Sequence, residues 1–127
     1  MRYRVIVVED DSAIAQTLLL ALGTLPDVEA VRAYSGEEAL RLWAERPADL
    51  LLTDHNMREM TGVELVRQLR AQGATQPMLL LTAYDSIAVQ HAASSVGVTE
   101  FIAKPFFIDQ LLDRIGKLLR KGAPSQT

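Results

Sequence analysis

Four short apolar runs in this chain end on side chains able to do chemistry: VIVV on Glu9 and Asp10, LLLT on Asp54, MLLL on Thr82 and FIA on Lys104. Brought to one place, these would be three carboxylates, a hydroxyl and an ammonium. Two carboxylates about 4 Å apart at an effective dielectric near 20 repel by roughly 4 kcal/mol. Such a group needs a cation or shifted protonation, and Lys104 alone does not balance three acids. A hard divalent ion does. Mg²⁺ (or Mn²⁺) suits two or three carboxylate oxygens and keeps coordination positions for water and phosphate. Asp54 then has one oxygen for the ion and one to attack phosphorus, which gives an aspartyl phosphate. The ion, Lys104 and the Thr82 hydroxyl would surround the phosphoryl oxygens, where positioning and charge neutralisation supply most of the catalysis.

Each residue taken singly also has a plain structural reading. Acids after a strand cap helices, and Asp11 fits that role. Asp54 can be a turn residue, Thr82 a β-former at a strand end, Lys104 a solvated loop lysine and Phe101 part of a core. The joint placement favours chemistry over four coincidences.

That placement depends on the elements carrying the residues. YRVIVV (residues 3–8) reads as a buried strand, and Ser12 can cap a helix running to about Leu22, with Ile14, Leu18 and Leu22 on one face before Gly23. VEAVRA (28–33) alternates like a strand near a sheet edge. Ser35 and Glu38 form a capping box ahead of Leu40, Trp43 and Ala44, and Pro47 closes that helix. DLLLTD (49–54) and PMLLLT (77–82) are continuous apolar runs of the kind found in strands covered on both faces. Between them, Thr61 and Glu64 form a second capping box, Val63, Val66 and Leu69 a helical stripe, and Gly73 a stop. DSIAVQHAASSVG is a poor helix with few large anchors and is expected to be the least firmly packed. EFIAK (100–104) is the last strand, and Ile108, Leu111, Leu112, Ile115, Leu118 and Leu119 mark a strongly amphipathic last helix.

Five strands alternating with five helices imply a parallel α/β sheet with helices on both faces, joined by right-handed crossovers. In such a sheet the carboxyl ends of the strands lie along one edge, where ligands bind. Residues far apart in the chain are therefore expected to meet there.

At 127 residues the chain has the length of one domain, and its net charge of -3 gives no general attraction for nucleic acid. No apolar run reaches the roughly 20 residues of a membrane span, and no signal-peptide pattern opens the chain, so it is expected in the cytoplasm. The absence of cysteine excludes disulfides and thiolate chemistry, and two isolated histidines, His55 and His91, read as surface residues that cannot build a metal cage. Any metal would be held by oxygen.

VVEDD (7–11), DHNMREMTG (54–62), LLLTA (79–83) and FIAKPF (101–106), in this order and spacing, resemble the receiver domain of bacterial two-component response regulators over residues 3 to about 121. The resemblance implies a flavodoxin-like (βα)5 three-layer sandwich with strand order 2-1-3-4-5; the apolar pattern alone does not give that order. It puts Glu9 and Asp10 on the acidic pair, Asp54 on the phosphorylated aspartate, Thr82 on the switch hydroxyl and Lys104 on the family's lysine. Asn56 falls where a backbone carbonyl binds the metal, Gly62 on the loop glycine, Phe101 on the switch aromatic, and Lys104-Pro105 on a bond that is cis in the family. The partners implied are a sensor histidine kinase or a histidine phosphotransfer protein, with a homodimer through the fourth helix, last strand and fifth helix as a further expectation. Residues 1–121 would be the receiver, and 122–127 a disordered tail or the start of a linker.

The chain departs from the family pattern at Arg58, where proline is usual. That loosens the loop after Asp54 and brings a flexible cation toward an anionic pocket. Asn56 and Tyr84 sit where the family tunes the lifetime of the phosphoryl group, and a bulky Tyr84 is expected to slow hydrolysis. A Mg²⁺-dependent phosphatase using an aspartyl phosphate is the rival reading, but that chemistry usually wants an acid at position 56 as proton donor. A nucleotide or flavin carrier would want a phosphate cradle after the first strand, where the acidic triplet stands. A signalling phosphoacceptor that is not a turnover enzyme is the reading these residues favour.

Overall fold

The computed structural model describes residues 2–83 and 87–121. Along the chain run β1 (Tyr3–Val8), α1 (Ser12–Leu22), β2 (Val28–Ala33), α2 (Gly36–Glu45), β3 (Leu50–Asp54), α3 (Gly62–Ala71), β4 (Met78–Thr82), α4 (Ile87–Val96), β5 (Glu100–Ala103) and α5 (Ile108–Lys121). The strands form one parallel sheet in the order β2-β1-β3-β4-β5. This is the flavodoxin-like order that the resemblance implied, and VEAVRA is indeed an edge strand.

The two-residue period of a strand sends alternate side chains to opposite helix layers. Val5, Val7, Leu50, Leu52, Leu79 and Leu81 face a layer made by Leu18 and Leu22 of α1 and Leu111, Ile115 and Leu119 of α5. Ile6, Val8, Leu51 and Met78 face Trp43 of α2 and Leu65, Val66 and Leu69 of α3. Leu80 packs with Val63 of α3 and Ala93 of α4. Every residue of β3 and β4 is buried, which explains why both read as unbroken apolar runs.

α4 buries only Ala93, whereas α5 buries Leu111, Ile115, Gly116 and Leu119. The composition of the two helices already separated them in this way. Elements with few buried apolar contacts come from the less stable end of a fold.

One local signal is decided between two candidates, and another differs from expectation. Asp11, not Ser12, caps α1: its backbone is extended and its carboxylate accepts from Ile14 N at 3.0 Å, while Ser12 is already helical. Ser35 and Thr61 cap α2 and α3 as expected, accepting from Glu38 N and Glu64 N, but neither capping box closes on its cap residue. Glu38 accepts from Tyr34 N instead, and Glu64 is drawn to Arg67 and Gln68. The Lys104-Pro105 bond is cis, as the resemblance implied. Tyr84 and the 122–127 tail lie outside the described residues. Among the described residues no helix is long and apolar enough to cross a membrane.

Candidate functional site

Parallel register places the reactive ends together. Val8 stands opposite Thr53, so Glu9 and Asp54 leave adjacent strands at the same level. Asp54 pairs with Leu81 and Thr82 with Ala103, which puts Thr82 and Lys104 on the next two strand ends of the same edge. Lys104 N donates to Thr82 O at 2.7 Å and fixes that last step.

Glu9, Asp10 and Asp54 each present a carboxylate oxygen within 4.8 Å of the others. Glu9 and Asp54 are buried, and Asp10 is exposed at the mouth. Lys104 Nζ lies 2.8 Å from Asp54 Oδ1 and 3.9 Å from Glu9 Oε1. Both of those oxygens are buried and accept no well-aligned hydrogen bond. Buried polar atoms normally have partners, so these two point to a group that completes the site. Three acids facing one ammonium suit a hard, oxygen-preferring divalent cation, and the donor set fits Mg²⁺.

The electrostatics agree. Burial pushes the Glu9 carboxyl up to about 7, with Asp54 and Asp10 adding to the rise; the Asp11 backbone N–H and Lys104 oppose it. Without a cation, this brings the titration of Glu9 into the neutral range. Glu9 Oε2 accepts from Asp11 N at 3.2 Å, so Asp11 serves both the helix cap and the acid before it.

The loop from Asp54 to α3 folds back on the end of β3. Gly62 N and Met57 N both donate to His55 O, and His55 N donates to Leu81 O. A side chain at Gly62 would bring its Cβ to 2.5 Å from Asp54 O and from Leu80 Cδ1, so only glycine lets the loop return this closely. Glu59 adopts φ 62°, a left-handed conformation uncommon away from glycine, and Met60 packs against Gly36 at the start of α2.

The other candidates differ in burial and packing. Thr82 is fully buried at its strand end. Asn56 is exposed in the loop two residues beyond Asp54. Phe101 is half-buried against the Val63, Leu80 and Ala93 cluster beneath α4. Arg58 is exposed and, among the described residues, forms no ion pair with the carboxylates. His91 is exposed, but His55 is half-buried with its Nδ1 unpartnered, so the surface reading holds for His91 alone. Burial lowers the His55 pKa, with the nearby Asp54 charge opposing the shift.

Sequence reasoning missed Arg32. From the edge strand it donates through Nε and Nη2 to Glu9 O, at 3.3 and 3.0 Å. It also missed Arg70 of α3, whose guanidinium donates to the carbonyls of Gly97, Ala74 and Gln76 and so ties the end of α4 to the foot of β4. Both lie in polar positions of amphipathic patterns, where nothing in the sequence separates a structural arginine from a solvated one.

Comparison with known proteins agrees with this geometry. The family model described as response regulator receiver domain matches residues 5–116. Response regulator MprA from Mycobacterium sp. (strain KMS) is 36% identical over 126 residues, covering 99% of this chain and 54% of the relative. The same-named protein of Mycobacterium tuberculosis is 36% identical over 124 residues, again covering 54% of its length. The chain therefore spans about half the length of these relatives. Among solved structures, chemotaxis protein CheY4 of Vibrio cholerae aligns with TM-score 0.87 at 30% identity, covering 93% of this chain and 99% of that one. The receiver domain of Francisella response regulator 1452 aligns with TM-score 0.87 at 29% identity, covering 94% and 98%.

Proposed function

The chain belongs to the response regulator receiver domain family of two-component signalling, and on that premise we propose that Asp54 is its phosphoacceptor. The single observation that carries this reading is the buried Asp54 carboxylate, 2.8 Å from Lys104 and grouped with Glu9 and Asp10. Glu9, Asp10, Asp54 and the Asn56 backbone carbonyl are the residues that would hold Mg²⁺ or Mn²⁺. The ion supplies charge neutralisation between the carboxylates and the incoming phosphoryl oxygens.

A sensor histidine kinase or histidine phosphotransfer protein presents a phosphohistidine. An Asp54 oxygen attacks phosphorus in line as the P–N bond breaks, and the electron pair leaves on the imidazole, which takes up a proton. Lys104 neutralises a phosphoryl oxygen, and the Thr82 hydroxyl donates to another. Lys104 is well placed for this because Asp54 already orients its ammonium. Hydrolysis of the acyl phosphate resets the site, with Asn56, Arg58 and Tyr84 tuning access of water.

The output is a population shift. Thr82 moving toward the phosphoryl group leaves room for Phe101 to turn inward, which reshapes the surface of α4, β5 and α5. The light anchoring of α4 supports this, since a helix holding only Ala93 in the core moves cheaply. The same surface would serve a phosphorylation-dependent homodimer. We take residues 1–121 as the receiver unit, acting in the cytoplasm, and 122–127 as a tail or linker.

Steady-state assay with phosphomonoesters tests the reading against a Mg²⁺-dependent phosphatase. A receiver gives a covalent adduct with a small acyl phosphate as donor and no sustained turnover of phosphomonoesters; continued release of phosphate from phosphomonoesters would establish the phosphatase instead.

A further inference from the structure

We propose that Arg32 is a positioning residue for the acidic site, holding the Glu9–Asp10 peptide so that Asp10 faces Glu9 and Asp54. The inference rests on reading that trio as a divalent-cation site.

Arg32 lies half-buried on the edge strand β2, opposite Val7 of β1. Its side chain reaches to the residue that follows β1. Nε and Nη2 both donate to Glu9 O, at 3.3 and 3.0 Å, and its Cζ sits 3.9 Å from the centroid of the Tyr34 ring. A planar fork stacked on an aromatic face has little rotational freedom left. Glu9 N donates to Ala33 O at 3.2 Å, so β2 grips Glu9 through both its backbone groups at the point where β1 leaves the sheet. The next residue is Asp10. Its side chain is exposed, so its place in the trio depends on the backbone that carries it.

Charge and geometry predict opposite effects of removing Arg32, which makes the proposal testable. A guanidinium near a cation site repels the cation, so a pure charge effect means tighter binding once it is gone. Loss of a positioning contact means weaker binding, because Asp10 is then free to turn to water.

The experiment is Mn²⁺ titration of the unphosphorylated chain, following free Mn²⁺ by electron paramagnetic resonance, together with amide exchange of the metal-free protein. Arg32→Ala should weaken Mn²⁺ binding about 10-fold, the scale seen when a contact that orients a metal ligand is removed. Arg32→Lys keeps the charge without the fork, so its affinity should be no higher than that of Arg32→Ala. Tyr34→Leu should weaken binding less than Arg32→Ala. In the metal-free Arg32→Ala protein, the Asp10 and Asp11 amides should exchange faster while those of β3 and β4 keep their protection. Unchanged or tighter Mn²⁺ binding by Arg32→Ala, with wild type binding normally, overturns the role of Arg32 alone. A wild-type chain that binds no Mn²⁺ overturns the cation-site reading beneath it.

Discussion

Lys104 reaches Asp54 at 2.8 Å from the neighbouring edge of the sheet, with Glu9 Oε1 at 3.9 Å, so one ammonium serves two buried carboxylates. The pair forms because β4 separates β3 from β5 by one strand and a lysine side chain spans that gap. Removing Lys104 leaves buried negative charge without its cation. Lys104→Ala should lower the unfolding free energy of the metal-free protein by about 1–3 kcal/mol, the cost of stranding a partly buried charged acceptor. Denaturant unfolding in the presence of a chelator measures it, and Mg²⁺ should restore part of the loss.

Glu9 makes the metal-free protein sensitive to pH. Its folded carboxyl titrates near 7 against an ordinary 4.5, so the folded state holds a proton that the unfolded chain releases. The stabilisation from that proton is complete below pH 4.5 and is lost as pH rises through 7. Melting temperatures with a chelator should show this fall across that window, and Glu9→Gln should flatten it. Divalent affinity should run the other way, rising as pH passes 7, because proton and metal compete for the same carboxylate.

Gly62→Ala tests the loop from Asp54 to α3. The added methyl meets Asp54 O and Leu80 Cδ1 at 2.5 Å and His55 Cα at 3.0 Å, two of them on the backbone of Asp54 and the residue after it. Overpacking of this kind costs about 1–3 kcal/mol. The variant should also accept phosphate more slowly than wild type at saturating donor. A fully active, equally stable Gly62→Ala would show that the loop yields easily.

Arg70→Ala removes four hydrogen bonds to the carbonyls of Gly97, Ala74 and Gln76. Burial lowers the Arg70 pKa but leaves the guanidinium charged, so these are charge-assisted bonds in a half-buried setting. A loss of about 2 kcal/mol in unfolding free energy is expected. Amide exchange should localise the loosening to the α4–β5 turn. Arg70→Lys should restore little, since one ammonium cannot reach three carbonyls on two sides.

The sheet was legible chiefly because the apolar runs of β3 and β4 are short and unbroken, with no amphipathic ambiguity. Glu9, Asp54 and Thr82 were legible for the same reason, since a polar residue at the end of a buried run has to face the edge, whereas Lys104 follows a half-buried strand and was legible from its place in the order. What stayed hidden were interactions set by tertiary approach. Arg32 and Arg70 look like solvated arginines until the strand and turn opposite them are in place. Asp11 and Ser12 are both good helix caps, and only the extended backbone at Asp11 decides between them. Glu9 looked like an ordinary acid beside Asp10, yet burial separates the two, raising the Glu9 pKa and leaving Asp10 exposed.

On the proposed function, Asp54 accepts a phosphoryl group with a divalent ion and Lys104 assisting. Intact-mass measurement after incubation with a small acyl phosphate and Mg²⁺ tests it most directly, comparing wild type with Asp54→Asn and with a chelated control. Wild type should gain the mass of one phosphoryl group, with peptide mapping assigning it to Asp54, while Asp54→Asn and the chelated sample gain none. An equal adduct on Asp54→Asn, or one that forms undiminished under chelation, would contradict the account.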